Sequence, residues 1–405
     1  MNGTKKSSSN RLSRRRTPKS VASDQTKSLK ADRRSVLKAG AATLGLAAVG
    51  SVAPSVFTRA EDTTLNWLTW AGHSDPYVID AFQEETGITI RAKEYAAGDL
   101  GLVELTQNPG LYDIASVSGE FVPEFVASGT LMELDPEEYV GWNEYLPEFK
   151  QDIGWNVDGK YHAILYEFGF NGLSYRTDKL SEEDLSSYEI IRDPRLAGKV
   201  ASNDWWGNAM GSLSILSGNA PADGRNPYII TDAEFDALRE TMREIRPQFS
   251  GFLEYAGLFS GFANGSIWLQ PGGGDWATQI LVDQGVPVAT AIPKEGGYLW
   301  GELITICEGT TKVDAAKKFV DYCLSAEAQA KFATKPAYTA VAANQRAWEV
   351  LQRDMPEWAE RLKMNSFDDP NAITAWREGR IVIRSLPADQ SVTDWANLWQ
   401  EFKNM

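Results

Sequence analysis

"LNWLTWAGHSDPYVIDAFQEETGITI" occupies residues 65–90 and sets out a strand, a helix and a second strand in one short run. Residues 65–70, "LNWLTW", read as a buried strand. Asp75 followed by Pro76 is a cap-then-first-turn signal, because the missing proline N–H is one the helix start leaves unused anyway. Val78, Ile79 and Phe82 then fall on one helical face, and Gly87 stops the helix. "ITIRAKEY" (88–95) alternates as a strand does. Strands separated by helices argue for an α/β fold with mainly parallel sheets.

The same alternation continues outward. "YDIASVSG" (112–119) is a short strand, and "FVPEFVASGTLMELD" (121–135) reads as a helix broken at Gly129. The clearest helix covers 231–246. Thr231 and Glu234 form a capping box, Phe235, Leu238, Met242 and Ile245 recur at helical spacing, and Pro247 ends the run. "VDAAKKFVDYCLS" repeats the pattern with Val313, Ala316, Phe319 and Cys323. The tail "SVTDWANLWQEF" aligns Val392, Trp395, Trp399 and Phe402.

Charge is unevenly spread along the 405 residues. The first 60 hold 13 Lys+Arg against 2 Asp+Glu, a net of +11; the rest hold 27 against 53, a net of −26. An acidic body repels phosphate backbones and anionic lipid and attracts cations, so nucleic acid and membrane insertion are not expected. Solubility alone is the competing explanation of this charge. Two histidines, His73 and His162, and two cysteines, Cys307 and Cys323, support no zinc or copper site. Both cysteines lie in apolar patterns and read as buried thiols; a disulfide between them remains open in an oxidising compartment. No cofactor is expected.

Residues 31–62, "ADRRSVLKAGAATLGLAAVGSVAPSVFTRAED", have a charged head, an uncharged run from Ala39 to Ala53 and a short tail with Ala60 at a plausible cleavage position. The run is too short to span a bilayer, which takes about 20 apolar residues. It reads as a secretory signal peptide. Arg33-Arg34 before "SVLK" resembles the twin-arginine signal S/T-R-R-x-F-L-K, with Asp32 and Val36 as departures, so both the twin-arginine and the general export routes stay open. The expectation is an exported, periplasmic protein.

In the order and spacing of its motifs, the chain resembles the spermidine/putrescine-binding family among the extracellular solute-binding proteins of ABC importers. The resemblance covers nearly all of the region after the signal. It is carried by the opening stretch, by "YDIASVSGEFVPEFVASGTLMELD", "DGKYHAILYEFGFNGLSYRTDKL", "LAGKVASND", "IPKEGGYLWGELITI" and "KKFVDYCLSAEAQAKFA", and by "AYTAVAAN". It implies a two-lobed periplasmic binding protein fold with ligand in the interlobe cleft. The expected division is 1–60 as signal, 61–168 plus 300–338 as one lobe and 169–299 plus 339–405 as the other. Crossings are expected near 167–172, near 297–300 and near Tyr338. The implied partners are a small cationic amine and the ABC permease subunits, with the receptor itself a monomer.

Within "IPKEGGYLWGELITI" (292–306), Trp300 and Glu302 stand two apart and so face the same way on a strand. Gly296 and Gly297 permit a sharp turn before them. An indole face beside a carboxylate suits an alkylammonium: a cation–π contact contributes about 0.5–2 kcal/mol and a charge-assisted hydrogen bond about 1.5–3 kcal/mol. The family carries Trp-x-Asp here, so the resemblance makes both residues amine contacts, with Glu302 one methylene longer. The bland alternative is a buried Trp with a solvated Glu.

Further candidates follow from the resemblance. Asp204 in "ASNDWWGN" matches an acidic family position, but Gly207 stands where the family has a second acid. Trp205 and Trp206 are extra rings on that loop, and either one could instead belong to the core. In "GSIWLQPGGGDWATQ", Trp268, Asp275 and Trp276 compete for one role, and Asp275 equally reads as a helix cap. Trp70 and Tyr77 follow the first strand. His73 between them reads as a polar loop residue. Glu167, beside Phe168 at the first crossing, either completes the amine site or serves as a hinge ion-pair partner.

The function expected is therefore capture of a cationic, polyamine-like amine for delivery to a permease, with no enzymatic chemistry. Three alternatives stand beside it: a secreted enzyme folded before twin-arginine export, a receptor for a quaternary amine, and an iron receptor. Two histidines, the absence of a nucleotide fingerprint and "GLS" (172–174) in place of a nucleophile elbow argue against the enzyme. The absence of a Tyr-Tyr pair argues against iron.

Overall fold

The structure is a computed structural model that describes residues 63–367 and 372–405. The signal-peptide segment, with its paired arginines and Ala60, lies outside the described residues. Strand β1 (Thr64–Trp70) is followed by a helix at Pro76–Thr86 and by β2 (Thr89–Tyr95), and the two strands pair in parallel. The Asp75 side chain accepts from the Tyr77 N–H, and Gly87 closes the helix at φ 68°, in the left-handed region where a glycine has no Cβ to clash. Val78, Ile79 and Phe82 are buried.

Nine further strands complete the sheets: β3 (Ile114–Ser118), β4 (Ile164–Arg176), β5 (Val200–Asn203), β6 (Phe249–Leu253), β7 (Leu269–Gly273), β8 (Val288–Ala291), β9 (Gly297–Ile306), β10 (Val341–Ala342) and β11 (Ile381–Ile383). The order is β2-β1-β3-β9-β4-β7-β5-β6, with β10 and β8 on β4 and β11 on β9. β1–β2, β1–β3, β5–β6, β5–β7 and β9–β11 are parallel, as a fold of alternating strands and helices requires. The long middle strands break that rule. β4 and β9 run antiparallel to each other, β3 runs antiparallel to β9, and β7, β8 and β10 run antiparallel to β4. The sheet is thus mixed: parallel at its flanks, antiparallel where two long strands cross its centre.

Helices cover these strands. The helix Val313–Leu324 lays Phe319 against Trp67 and Phe82, with ring centroids 5.1 and 5.0 Å apart. The helix Asp232–Ile245 carries the Thr231/Glu234 capping box and buries Phe235, Leu238, Met242 and Ile245. The final helix, Val392–Asn404, buries Trp395, Leu398, Trp399 and Phe402. Each such side chain contributes about 1.5–3 kcal/mol on leaving water. Cys307 and Cys323 are buried free thiols. Among the described residues, no helix is long and apolar enough to cross a membrane.

Candidate functional site

In sheets with parallel strands, loops converge beyond the carboxyl ends, and ligands collect there. Here those ends deliver aromatic rings. Trp70 is the last residue of β1, Trp205 follows β5, Tyr255 follows β6 and Trp276 follows β7. Arg384 comes directly after β11. With Trp300 and Glu302 of β9, and with Phe259, Asn171, Asn208 and Tyr338, they enclose a largely apolar cavity of about 220 Å³, the scale of a small organic solute.

The alternation read from the sequence places Trp300 and Glu302 together on the cavity wall. Two glycines make this possible. Gly169 pairs with Trp300 across β4–β9, and a Cβ there would lie 2.5 Å from the indole. Gly301 faces the opposite way, where a Cβ would lie 2.4 Å from the Trp155 ring. Gly207, found where the family has an acid, has a comparable role: a Cβ would stand 2.6 Å from the Trp205 ring.

The walls are held by ring contacts and by one polar chain. Trp70 meets Trp205 at 5.8 Å, and Tyr255 meets Trp276 edge-on at 5.5 Å. The Trp276 N–H donates to Asn171 Oδ1 at 3.0 Å, Asn171 Nδ2 donates to Asn208 Oδ1 at 3.3 Å, and Arg384 Nη1 donates to the same oxygen at 3.0 Å. Arg384 also ion-pairs through Nε with Glu120 Oε1 at 2.7 Å and stacks over Trp205 at 4.9 Å.

Glu302 is 3% exposed. Its Oε1 accepts from the Ser118 hydroxyl at 2.8 Å, and its Oε2 has no hydrogen-bond partner among the described residues. Burial pushes its pKa up to about 8. The Glu120 and Glu167 charges push the same way, while the Ser118 hydrogen bond and Arg384 pull against them.

Of the expected contacts, Trp300, Glu302, Trp205, Trp276 and Trp70 line the cavity, whereas Asp204, Trp206, Trp268, Asp275, Tyr77 and Glu167 do not. Asp204 is held by Lys403 at 2.7 Å and accepts from the Trp399 N–H, so the last helix takes it away from the site. Trp206 turns into the core against Trp395. Trp268 donates to the Gly265 carbonyl and lies beneath Lys199. Asp275 is the first residue of the helix Asp275–Asp283 and faces a separate small void with Phe170 and Lys363. Tyr77 is 40% exposed and hydrogen-bonds Thr334.

Glu167 lies fully buried behind the wall, with Lys335 Nζ at 2.6 Å and His73 Nε2 at 2.8 Å. His73 lies in the turn after β1, as a polar loop residue would, but it is fully buried and bonded through Nδ1 to the Tyr166 hydroxyl. Tyr255, Phe259, Tyr338, Asn171, Asn208 and Arg384 were not singled out as contacts in the sequence. The short run "FSGFL" before Tyr255 held the signal for one of them, since it is a strand whose carboxyl end opens on the site. Among the described residues, no group of three or more His, Cys, Asp or Glu side chains is placed to hold a metal ion.

The family model described as bacterial extracellular solute-binding protein matches residues 77–361. The putrescine/agmatine-binding protein of Pseudomonas aeruginosa is 21% identical over 313 residues, spanning 74% of this chain and 83% of that one. The solved spermidine/putrescine ABC transporter substrate-binding protein PotD of Streptococcus pneumoniae superposes with a TM-score of 0.67 at 16% identity, covering 84% of this chain and 99% of that one. The binding protein MotA of A. tumefaciens, solved with glucopine, gives 0.62 at 16% identity, covering 84% and 97%. At these identities the structural likenesses speak for the fold, which is the two-lobed α/β architecture expected from the motifs.

Proposed function

Since the chain belongs to the bacterial extracellular solute-binding proteins, we propose that it captures an amine-bearing solute in the aromatic cavity and hands it to the permease of an ABC importer. The observation that carries this reading is Glu302: a buried carboxyl with an unpartnered oxygen, set among indole and phenol rings. A buried carboxylate left unpaired is costly. An ammonium group that enters supplies the missing charge, donates to Oε2 and meets the ring faces that favour cations. Relatives whose names record putrescine or spermidine binding support the same chemistry. Export to the periplasm and action as a monomer belong to this proposal. So does the division into lobes at 61–168 plus 300–338 and 169–299 plus 339–405. Micromolar affinity needs only about 8 kcal/mol, within reach of one ion pair and several ring contacts.

Calorimetry with putrescine, spermidine, choline and glycine betaine tests the proposal. At least one should bind, and Glu302→Gln should weaken it about tenfold to a hundredfold. Binding of an anionic solute alone, with every amine inert, would overturn the reading.

A further inference from the structure

The groups that the protein leaves unsatisfied in the cavity are not all of one kind. Glu302 Oε2 is an acceptor without a donor. The indole N–H groups of Trp205 and Trp300, both on cavity-lining side chains, are buried donors without acceptors. Arg384, 4% exposed and lining the same space, ion-pairs through Nε with Glu120 and donates from Nη1 to Asn208. Donors in a dry site need acceptors, because an unmet one forfeits its desolvation energy. The cavity thus lacks an acceptor group as well as a donor.

Charge points the same way. Glu302 is the one carboxylate on the cavity wall among the described residues. Glu120 is engaged by Arg384, Glu167 by Lys335, and Asp204 by Lys403. A diamine would have one ammonium at Glu302 and no carboxylate for the other, in a cavity whose remaining charged wall is a guanidinium. Like charges in a low-dielectric site repel strongly. A guanidinium, by contrast, presents a planar fork that matches a carboxylate.

We infer that the solute is zwitterionic, carrying a carboxylate as well as an amine, and that Arg384 with the Trp205 indole receives the carboxylate while Glu302 receives the ammonium. This rests on the reading of the cavity as an amine site and narrows the class of solute to amino acids and amine-bearing acids. Arg384 is then the specificity-determining residue, and the Glu120 carboxylate behind it fixes the fork in place.

Calorimetry with four probes of equal chain length separates this inference from its parent reading: 4-aminobutanoate, 1,4-diaminobutane, butylamine and butanoate. The protein should prefer 4-aminobutanoate to 1,4-diaminobutane and to butylamine by about tenfold or more. Arg384→Gln alone would orphan Glu120, so the decisive variant is the double Glu120→Gln, Arg384→Gln, which removes both charges together. In it the preference should collapse toward one. Equal or tighter binding of 1,4-diaminobutane by the unaltered protein would overturn the zwitterion inference and leave the amine site standing. So would a preference that survives in the double variant, since Arg384 would then serve only as a stacked wall. If no amine-bearing probe binds, or only butanoate does, the amine site falls and the inference falls with it.

Discussion

Glu167 and Glu302 are cross-strand partners on β4 and β9, and both are almost wholly buried, yet they are opposite in character. Burial drives the pKa of each upward. At Glu167 it is outweighed by His73 and Lys335, which hold that carboxyl below its ordinary value. At Glu302 the Ser118 hydrogen bond and the Arg384 charge offset it only in part, and the pKa reaches about 8. Two like residues a strand apart thus show what separates a structural acid from a binding one: the first has its cation built in, and the second lacks one. Lys335 also lies over the Tyr338 ring at 4.4 Å, so the closed pair braces a wall of the open site.

The comparison breaks most visibly if the built-in cation is removed. Lys335→Met leaves Glu167 buried with His73 as its remaining ion partner, and burial lowers the pKa of that imidazole and disfavours its charge. Loss of one member of a buried pair costs about 3–5 kcal/mol. Urea melts should show that loss, with much of it regained when Glu167→Gln is added. If Lys335→Met is as stable as the parent, Glu167 is not held by its ion pair.

A smaller effect should follow from Glu302→Gln in the empty protein. The folded pKa of Glu302 lies above the unfolded value near 4.5. Its contribution to stability is therefore full below that value and is lost as pH rises through about 8, by a few kcal/mol at most. Glutamine removes the titration. The stability difference between variant and parent, read from thermal melts, should shift in favour of the variant between pH 5 and pH 8. A difference flat across that range would place Glu302 in a solvated setting and end the contrast with Glu167.

Much of this was legible from residue order. The strand, helix and strand of 64–95 announced themselves through a buried run, a capped first turn and a closing glycine, all local signals. Trp300 and Glu302 were legible because strand alternation is local too. What the sequence could not show was which acid meets a distant base. Asp204 looks free until Lys403, on the last helix, takes it. Arg384 follows a strand of three residues, too short for a period, and reaches the site only because β11 pairs with β9 far back along the chain. The antiparallel centre was hidden for the same reason. Helix-separated strands predict parallel neighbours, but β4 and β9 meet across a long stretch of intervening chain.

The central claim is that Glu302 waits, protonated, for a cation. An ammonium that binds must find it ionised, so capture releases the proton. Calorimetry of the tightest-binding amine probe at pH 7, repeated in two buffers of different ionisation enthalpy, measures that release directly. With a pKa of about 8 the account predicts release of about nine-tenths of a proton per solute bound, and almost none from Glu302→Gln. Tight binding with no proton released by the unaltered protein would contradict it.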